Sequence, residues 1–202
     1  TARYGNCHYP MVGGATVIAV GPKDAYVTPA MAKAGDHVVI TKGPAIEASG
    51  IFATMFRDRI EKALGKPFAE KSQEIFYKMS VVEDAEAAVS AGIRDNGVTA
   101  MHDATECGIW GGVYELAQAA GLGVILDKDA IVVEDGVMEI CGLFGIKDPY
   151  AAISEGTLIL SCRPHRSADI IRALKERGIS ASVAGELTPA AKGMTLVEGG
   201  IE

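Results

Sequence analysis

Aromatic residues are scarce in this 202-residue sequence, at 6% with a single tryptophan, and no apolar run approaches the roughly 20 residues that a membrane helix needs. No charged segment followed by an apolar stretch opens the chain, so neither a secretory leader nor a membrane span is expected, and a cytoplasmic protein is. The four cysteines, Cys7, Cys107, Cys141 and Cys162, form no CxxC pair, which argues against a zinc ribbon or a dense disulfide framework and for reduced thiols. His8, His37 and His165 have no metal-ligand spacing with each other or with the cysteines. Positive charge is in the minority, with 19 Lys and Arg against 26 Asp and Glu, and the net charge of −7 repels phosphate backbones. Nucleic acid and membrane are therefore not expected partners, and an anionic ligand would need local donors.

What is present is the composition of a folded protein, 49% hydrophobic with 24 glycines and apolar residues spread along the chain. Ala15 to Val20 reads as a strand ended by Gly21 and Pro22, and a domain boundary is placed at Lys33. Asp36 to Lys42 is β-branched and strand-like. Ile46, Ile51, Phe52, Met55, Phe56, Ile60 and Leu64 then recur near the helical period, which predicts one long helix up to Gly65. Helices are expected over 67–79, 81–92, 108–120, 135–144 and 166–177. Strands are expected at 98–102, 124–126, 156–162 and 179–186, with a last one at 194–197 on an edge. Alternating strands and helices predict an α+β fold, a mixed sheet in a three-layer α/β/α arrangement.

Three segments carry chemistry. Thr41 to Gly50 joins a strand to a helix, where free N–H groups and the helix dipole favour anions and Lys42 adds charge, although by its residues alone it reads better as a plain turn. Met101 to Gly112 packs polar side chains where a buried strand opens into a helix. There Asp103 and Glu106 suit Mg²⁺, and Thr105 suits a cap or a phosphate contact. A capping box explains Thr105 and Glu106 but leaves His102 and Asp103 without a role. Cys107, at the helix start, is a nucleophile or a passive small residue, and Trp110 reads as packing. Ser154 to Thr157 reads as a turn before a strand.

The string Val98-Thr-Ala-Met-His-Asp-Ala-Thr-Glu106, with Ile109 to Ala117 after it, resembles the AIR synthase (PurM-like) superfamily, above all its hydrogenase-maturation HypE and AIR synthase-related branch. Val12 to Thr16, Ala34-Gly-Asp36, Thr41-Lys-Gly43, Ile46-Glu47, Ser80 to Val82 and Ser154 to Leu160 match it in order. The resemblance implies a PurM-like C-terminal domain over 33–202, preceded by the tail (1–32) of an ATP-binding N-terminal domain. It implies ATP and Mg²⁺ as cofactors, a homodimer, a small-molecule substrate and a maturation-protein partner. ATP would activate a carbonyl or amide oxygen by phosphorylation. Asp103 and His102 would be catalytic, with Asp103 also the metal ligand; Lys42, Gly43, Glu47, Thr105, Glu106 and Gly108 would bind the cofactor. Three departures stand out: Ala15 in place of the family's His with Val17 in place of an acidic residue, Cys107 in place of Gly, and no terminal cysteine for HypE-type carbamoyl transfer. A non-catalytic assembly module, or a relative of thiamine-phosphate kinase or selenophosphate synthetase, are the alternatives.

Overall fold

A computed structural model describes residues 16–201. Six strands form one mixed sheet: β1 (His37–Thr41), β2 (Val98–Asp103), β3 (Leu122–Asp127), β4 (Leu158–Cys162), β5 (Ala181–Pro189) and β6 (Met194–Val197). The spatial order is β2-β4-β1-β5-β3-β6, antiparallel except for the parallel β3–β6 pair. The central β1 is buried from Val38 onward, which is why its sequence is a continuous β-branched run and not an alternating one. The terminal β6 alternates exposed and half-buried residues, as expected of an edge.

Helices cover both faces. On one lies α5 (Gly108–Ala120), whose Ile109, Val113, Leu116 and Ala117 pack over Val38, Ile40, Ala100, Val124, Ile159 and Leu187. On the other, α4 (Val82–Ser90) and α7 (Ser167–Glu176) bring Ala87, Ala88, Ile170 and Leu174 onto Val39, Val98, Leu158, Leu160 and Cys162. Each large aliphatic side chain so buried contributes about 1.5–3 kcal/mol of transfer free energy. A third core belongs to a helical lobe of α1 (Ile46–Met55), α2 (Arg57–Leu64), α3 (Lys66–Ser72) and α6 (Val137–Phe144), built around Ile46, Ala53, Ile60, Ala69, Val137 and Ile140.

Three local expectations are corrected. The single helix expected over 46–65 is two helices, because the chain turns at Phe56 (φ −122°, ψ 34°). That turn lets Ile60 reach the lobe core while Met55 and Phe56 face outward, and Phe52 stacks on Phe144 with ring centroids 4.3 Å apart. Among the described residues the longest helix is instead α5, of 13 residues. Residues 67–79 are helical only to Ser72 and continue as a 3-10 helix over Gln73–Lys78. The strand expected at Ala15 to Val20 is absent over its described part: residues 16–20 pair with nothing and are exposed. The Val12 to Ala15 matches lie outside the described residues, as do Cys7 and His8. Ahead of β1 the chain is held from Lys23 on, where the Arg94 guanidinium donates to the carbonyls of Lys23 (2.8 Å) and Tyr26 (3.0 Å).

Candidate functional site

β1 and β2 are both antiparallel to β4, which lies between them. The C-terminal ends of β1 and β2 and the N-terminal end of β4 therefore share one end of the sheet, and the three segments singled out in the sequence converge there. The Ala104 N–H donates to the Thr157 carbonyl (2.9 Å) and the Ser154 N–H to that of Thr105 (3.3 Å), while the Thr157 hydroxyl donates to the Gly43 carbonyl (2.5 Å).

The junction after β1 is closed. The buried Lys42 ammonium donates to Asp84 Oδ2 (2.9 Å) and to the carbonyls of Lys78 (3.1 Å) and Ser80 (2.9 Å), which uses all three of its protons. Thr41 Oγ1 donates to the other Asp84 oxygen (2.6 Å) and accepts from the Leu158 N–H (3.0 Å). The Lys42 and Gly43 N–H groups are bonded to the carbonyls of Ser180 and Thr41. Gly43 (φ +85°) lies against the Val132 carbonyl, 2.0 Å from where a Cβ would sit, so backbone packing fills the space expected for an anion. The first turn of α1 is capped from across the turn, Ile46 N–H by the Ser154 hydroxyl (3.0 Å) and Ala48 N–H by the Ile153 carbonyl (3.3 Å). Lys42 and Gly43 thus hold loops together and present no donor to a ligand in this arrangement.

The junction after β2 is open. Helix α5 starts behind Cys107 with no side-chain cap, and Gly108 (φ +56°) bonds its N–H to the Thr105 carbonyl (3.0 Å). Asp103, Glu106 and Cys107 are exposed and His102 is half-buried. Hydrogen bonds from its own backbone N–H and from the Thr105 hydroxyl hold the Glu106 carboxyl below the usual carboxylate range. Glu47, in the first turn of α1, faces the same end, and burial, followed by the charges of Glu155 and Glu106, pushes its carboxyl up. Its Oε2 is buried without a hydrogen-bond partner. His102 Nε2 lies 2.9 Å from Oε2 of Glu115 on α5, and its Nδ1 lies 3.6 Å from Asp103 Oδ1. Glu115 escaped the sequence reading, although its position seven residues after Gly108, two helical turns on, puts it on the face that meets β2. Trp110 packs, as expected, stacked on Tyr150 at 5.1 Å with its indole N–H on Asp148 (2.9 Å). Cys107, Cys141 and Cys162 are free thiols, and burial pushes the Cys162 thiol up to about 12.

Among the described residues, no three His, Cys, Asp or Glu side chains are placed to hold a metal ion. The open junction offers Mg²⁺ two exposed carboxylates, Asp103 and Glu106. That fits an ion that takes one or two protein carboxylates and completes its shell with phosphate oxygens and water.

Comparison with known proteins places this geometry. The family described as AIR synthase related protein, C-terminal domain, matches residues 33–197. Carbamoyl dehydratase HypE of Bradyrhizobium diazoefficiens is 30% identical over 118 residues, 55% of this chain and 33% of that protein. Selenide, water dikinase of Methanococcus maripaludis is 24% identical over 204 residues, 96% of this chain and 59% of that protein. The chain thus spans between about a third and six tenths of the length of these relatives. The crystal structure of Escherichia coli HypE, a hydrogenase maturation protein, superposes with a TM-score of 0.65 at 20% identity, over 89% of this chain and 51% of that one. Thiamine-monophosphate kinase from Stenotrophomonas maltophilia does so at 0.63 and 12%, over 90% and 55%. By the match that runs from Lys33 to Val197, the chain belongs to the AIR synthase-related family, in the C-terminal domain of that family.

Proposed function

We propose that this chain is the C-terminal part of an ATP-using enzyme of the HypE kind, in which residues 33–202 form the domain that closes on nucleotide and substrate, and 1–32 lead from a nucleotide-binding domain. The observation that carries the reading is the contrast between two strand-to-helix junctions at one end of the sheet: the one after β1 uses its lysine and backbone donors internally, and the one after β2 leaves Asp103 and the start of α5 open. The uncapped start of α5 offers N–H donors to anionic oxygens. Asp103 offers a carboxylate to Mg²⁺, and His102, held by Glu115, offers a nitrogen beside it. Glu47, Glu106 and Glu155 make this end acidic, so a polyphosphate would arrive with its divalent cation. ATP with Mg²⁺ would supply a phosphoryl group to a carbonyl or amide oxygen, and this chain's residues would orient it and stabilise its charge.

Related proteins support the reading by kind. A HypE structure in complex with ATP shares the fold at a TM-score of 0.57, and a HypE–HypF complex does so at 0.59, which supports a maturation-protein partner for this chain. A homodimer belongs to the same proposal. The 96% coverage by selenide, water dikinase favours a second reading, a dikinase acting on selenide and water. Calorimetric titration with Mg-ATP, on this chain alone and with the preceding domain supplied, tests the first. Saturable binding that Asp103→Asn reduces at least tenfold is expected, and binding indifferent to that change would remove Asp103 from the site. ATP consumption dependent on selenide would favour the second reading.

A further inference from the structure

We infer that residues 23–33 form a strap across the outer edge of β2 and that Arg94 is its latch, a positioning residue that fixes the path by which the chain enters the fold. β2 is a terminal strand of the sheet, and an uncovered terminal strand invites further strands to pair with it. The strap crosses that edge from one face to the other. Val27 packs with the core under α4 and α7, the 3-10 turn Pro29–Met31 lies against β2 and α5, and Ala32 is buried in the core under α5. Both ends of the strap return to one short turn, Arg94–Asn96, just before β2. At the first end the Arg94 guanidinium donates from Nε to the Tyr26 carbonyl (3.0 Å) and from Nη2 to that of Lys23 (2.8 Å), and its carbon lies 4.8 Å from the centre of the Tyr26 ring. At the other end the Asp95 carboxylate accepts from the Lys33 ammonium (3.0 Å) and from Arg163 (2.8 Å), which also holds the buried Asp36 (2.7 Å). The backbone singles out Arg94. Its φ of +57° is one that residues other than glycine and asparagine seldom adopt, and such a conformation persists only where the surrounding contacts enforce it. Glycine would make this turn with less strain. An arginine is explained by the two carbonyls and the ring, which a planar fork with a flat face engages at once.

The latch makes no use of nucleotide, so it stands or falls apart from the proposed function. The Tyr26–Val27 bond is a chymotrypsin site whose carbonyl and ring are both held by Arg94. Limited digestion of the folded full chain, read by mass spectrometry of the fragment that begins at Val27, reports how often the latch opens. Arg94→Asn tolerates a left-handed φ but is too short to reach the carbonyls, and it should speed that cleavage about tenfold or more. Arg94→Lys, with one ammonium for two carbonyls, should fall between. The bond after the exposed Tyr77, in the 3-10 helix beside α1, is the internal control and should be cut at the wild-type rate in all three proteins. Equal cleavage at Val27 in wild type and Arg94→Asn would overturn the latch. So would an equal acceleration at Tyr77, which is general loosening and not release of the strap. Hydrogen exchange tests the cover over the edge: β2 amides that do not pair with β4 should exchange faster in Arg94→Asn, and those of the central β1 should not. Unchanged protection along β2 would overturn the strap.

Discussion

The two junctions that begin at Thr41 and Asp103 look alike in the sequence, each a buried strand running into a glycine-bearing turn and a helix, yet one is sealed and the other open. After β1, a lysine and an aspartate neutralise each other inside the protein, a threonine hydroxyl donates to the same aspartate, and a neighbouring turn caps the helix. After β2, the polar side chains lie at the surface and the helix start has no side-chain cap. Polar density alone therefore does not mark a ligand site. What separates the two is whether a partner lies within the fold.

The largest effect should come from breaking the sealed junction. Asp84→Ala leaves the Lys42 ammonium buried with two carbonyls and no counter-charge, and Thr41 without its acceptor. Removing one partner of a buried ion pair costs about 3–5 kcal/mol, whereas replacing both by apolar residues is often neutral. Urea denaturation should show that loss for Asp84→Ala and a much smaller one for Lys42→Met combined with Asp84→Leu. A loss below about 1 kcal/mol for Asp84→Ala would mean that water reaches Lys42 and that the junction is not sealed.

Sequence reading located the six strands and the layer arrangement because β-branched runs and helical periods are local signals. It brought the right three segments forward for the site, since Thr41 to Gly50, Met101 to Gly112 and Ser154 to Thr157 do meet. It did not show that Lys42 is consumed internally, because the partner, Asp84, is 42 residues away on α4. Nor did it find Glu115, whose approach to His102 exists only once α5 lies over β2. The long helix was misread for a related reason. Met55 and Phe56 continue the apolar period of α1 but lie exposed at the bend, and only packing in the lobe shows where the axis turns.

A smaller effect is expected at the open junction. Gly108 sits at φ +56°, and an added Cβ would lie 2.4 Å from the Tyr150 carbonyl oxygen and 2.5 Å from that of Ala152. Both are backbone atoms, so Gly108→Ala must shift either the start of α5 or the 149–152 turn, at about 1–3 kcal/mol. Thermal melting reads the cost. A neutral result would show that the start of α5 is pliable, and that the open junction is loosely held.

The smallest effect is the one whose sign best separates the junctions. Glu47 belongs by sequence to the sealed turn but faces the acidic end, and burial, then Glu155 and Glu106, raise its carboxyl above the ordinary 4.5. A raised folded-state value means that the ionised carboxylate weakens the fold at neutral pH. The penalty is relieved as pH falls through the raised value, because the folded form takes up its proton first, and below about 4.5 both forms are protonated and it is gone. Glu47→Gln should therefore stabilise the chain at pH 7, with the gain shrinking as pH falls and absent below about 4.5. Denaturation midpoints of the two proteins across that range test it. A gain independent of pH would assign the effect to packing and not to charge. A loss at pH 7 would show that the ionised carboxylate has a partner in solution, which would extend the open junction to the start of α1.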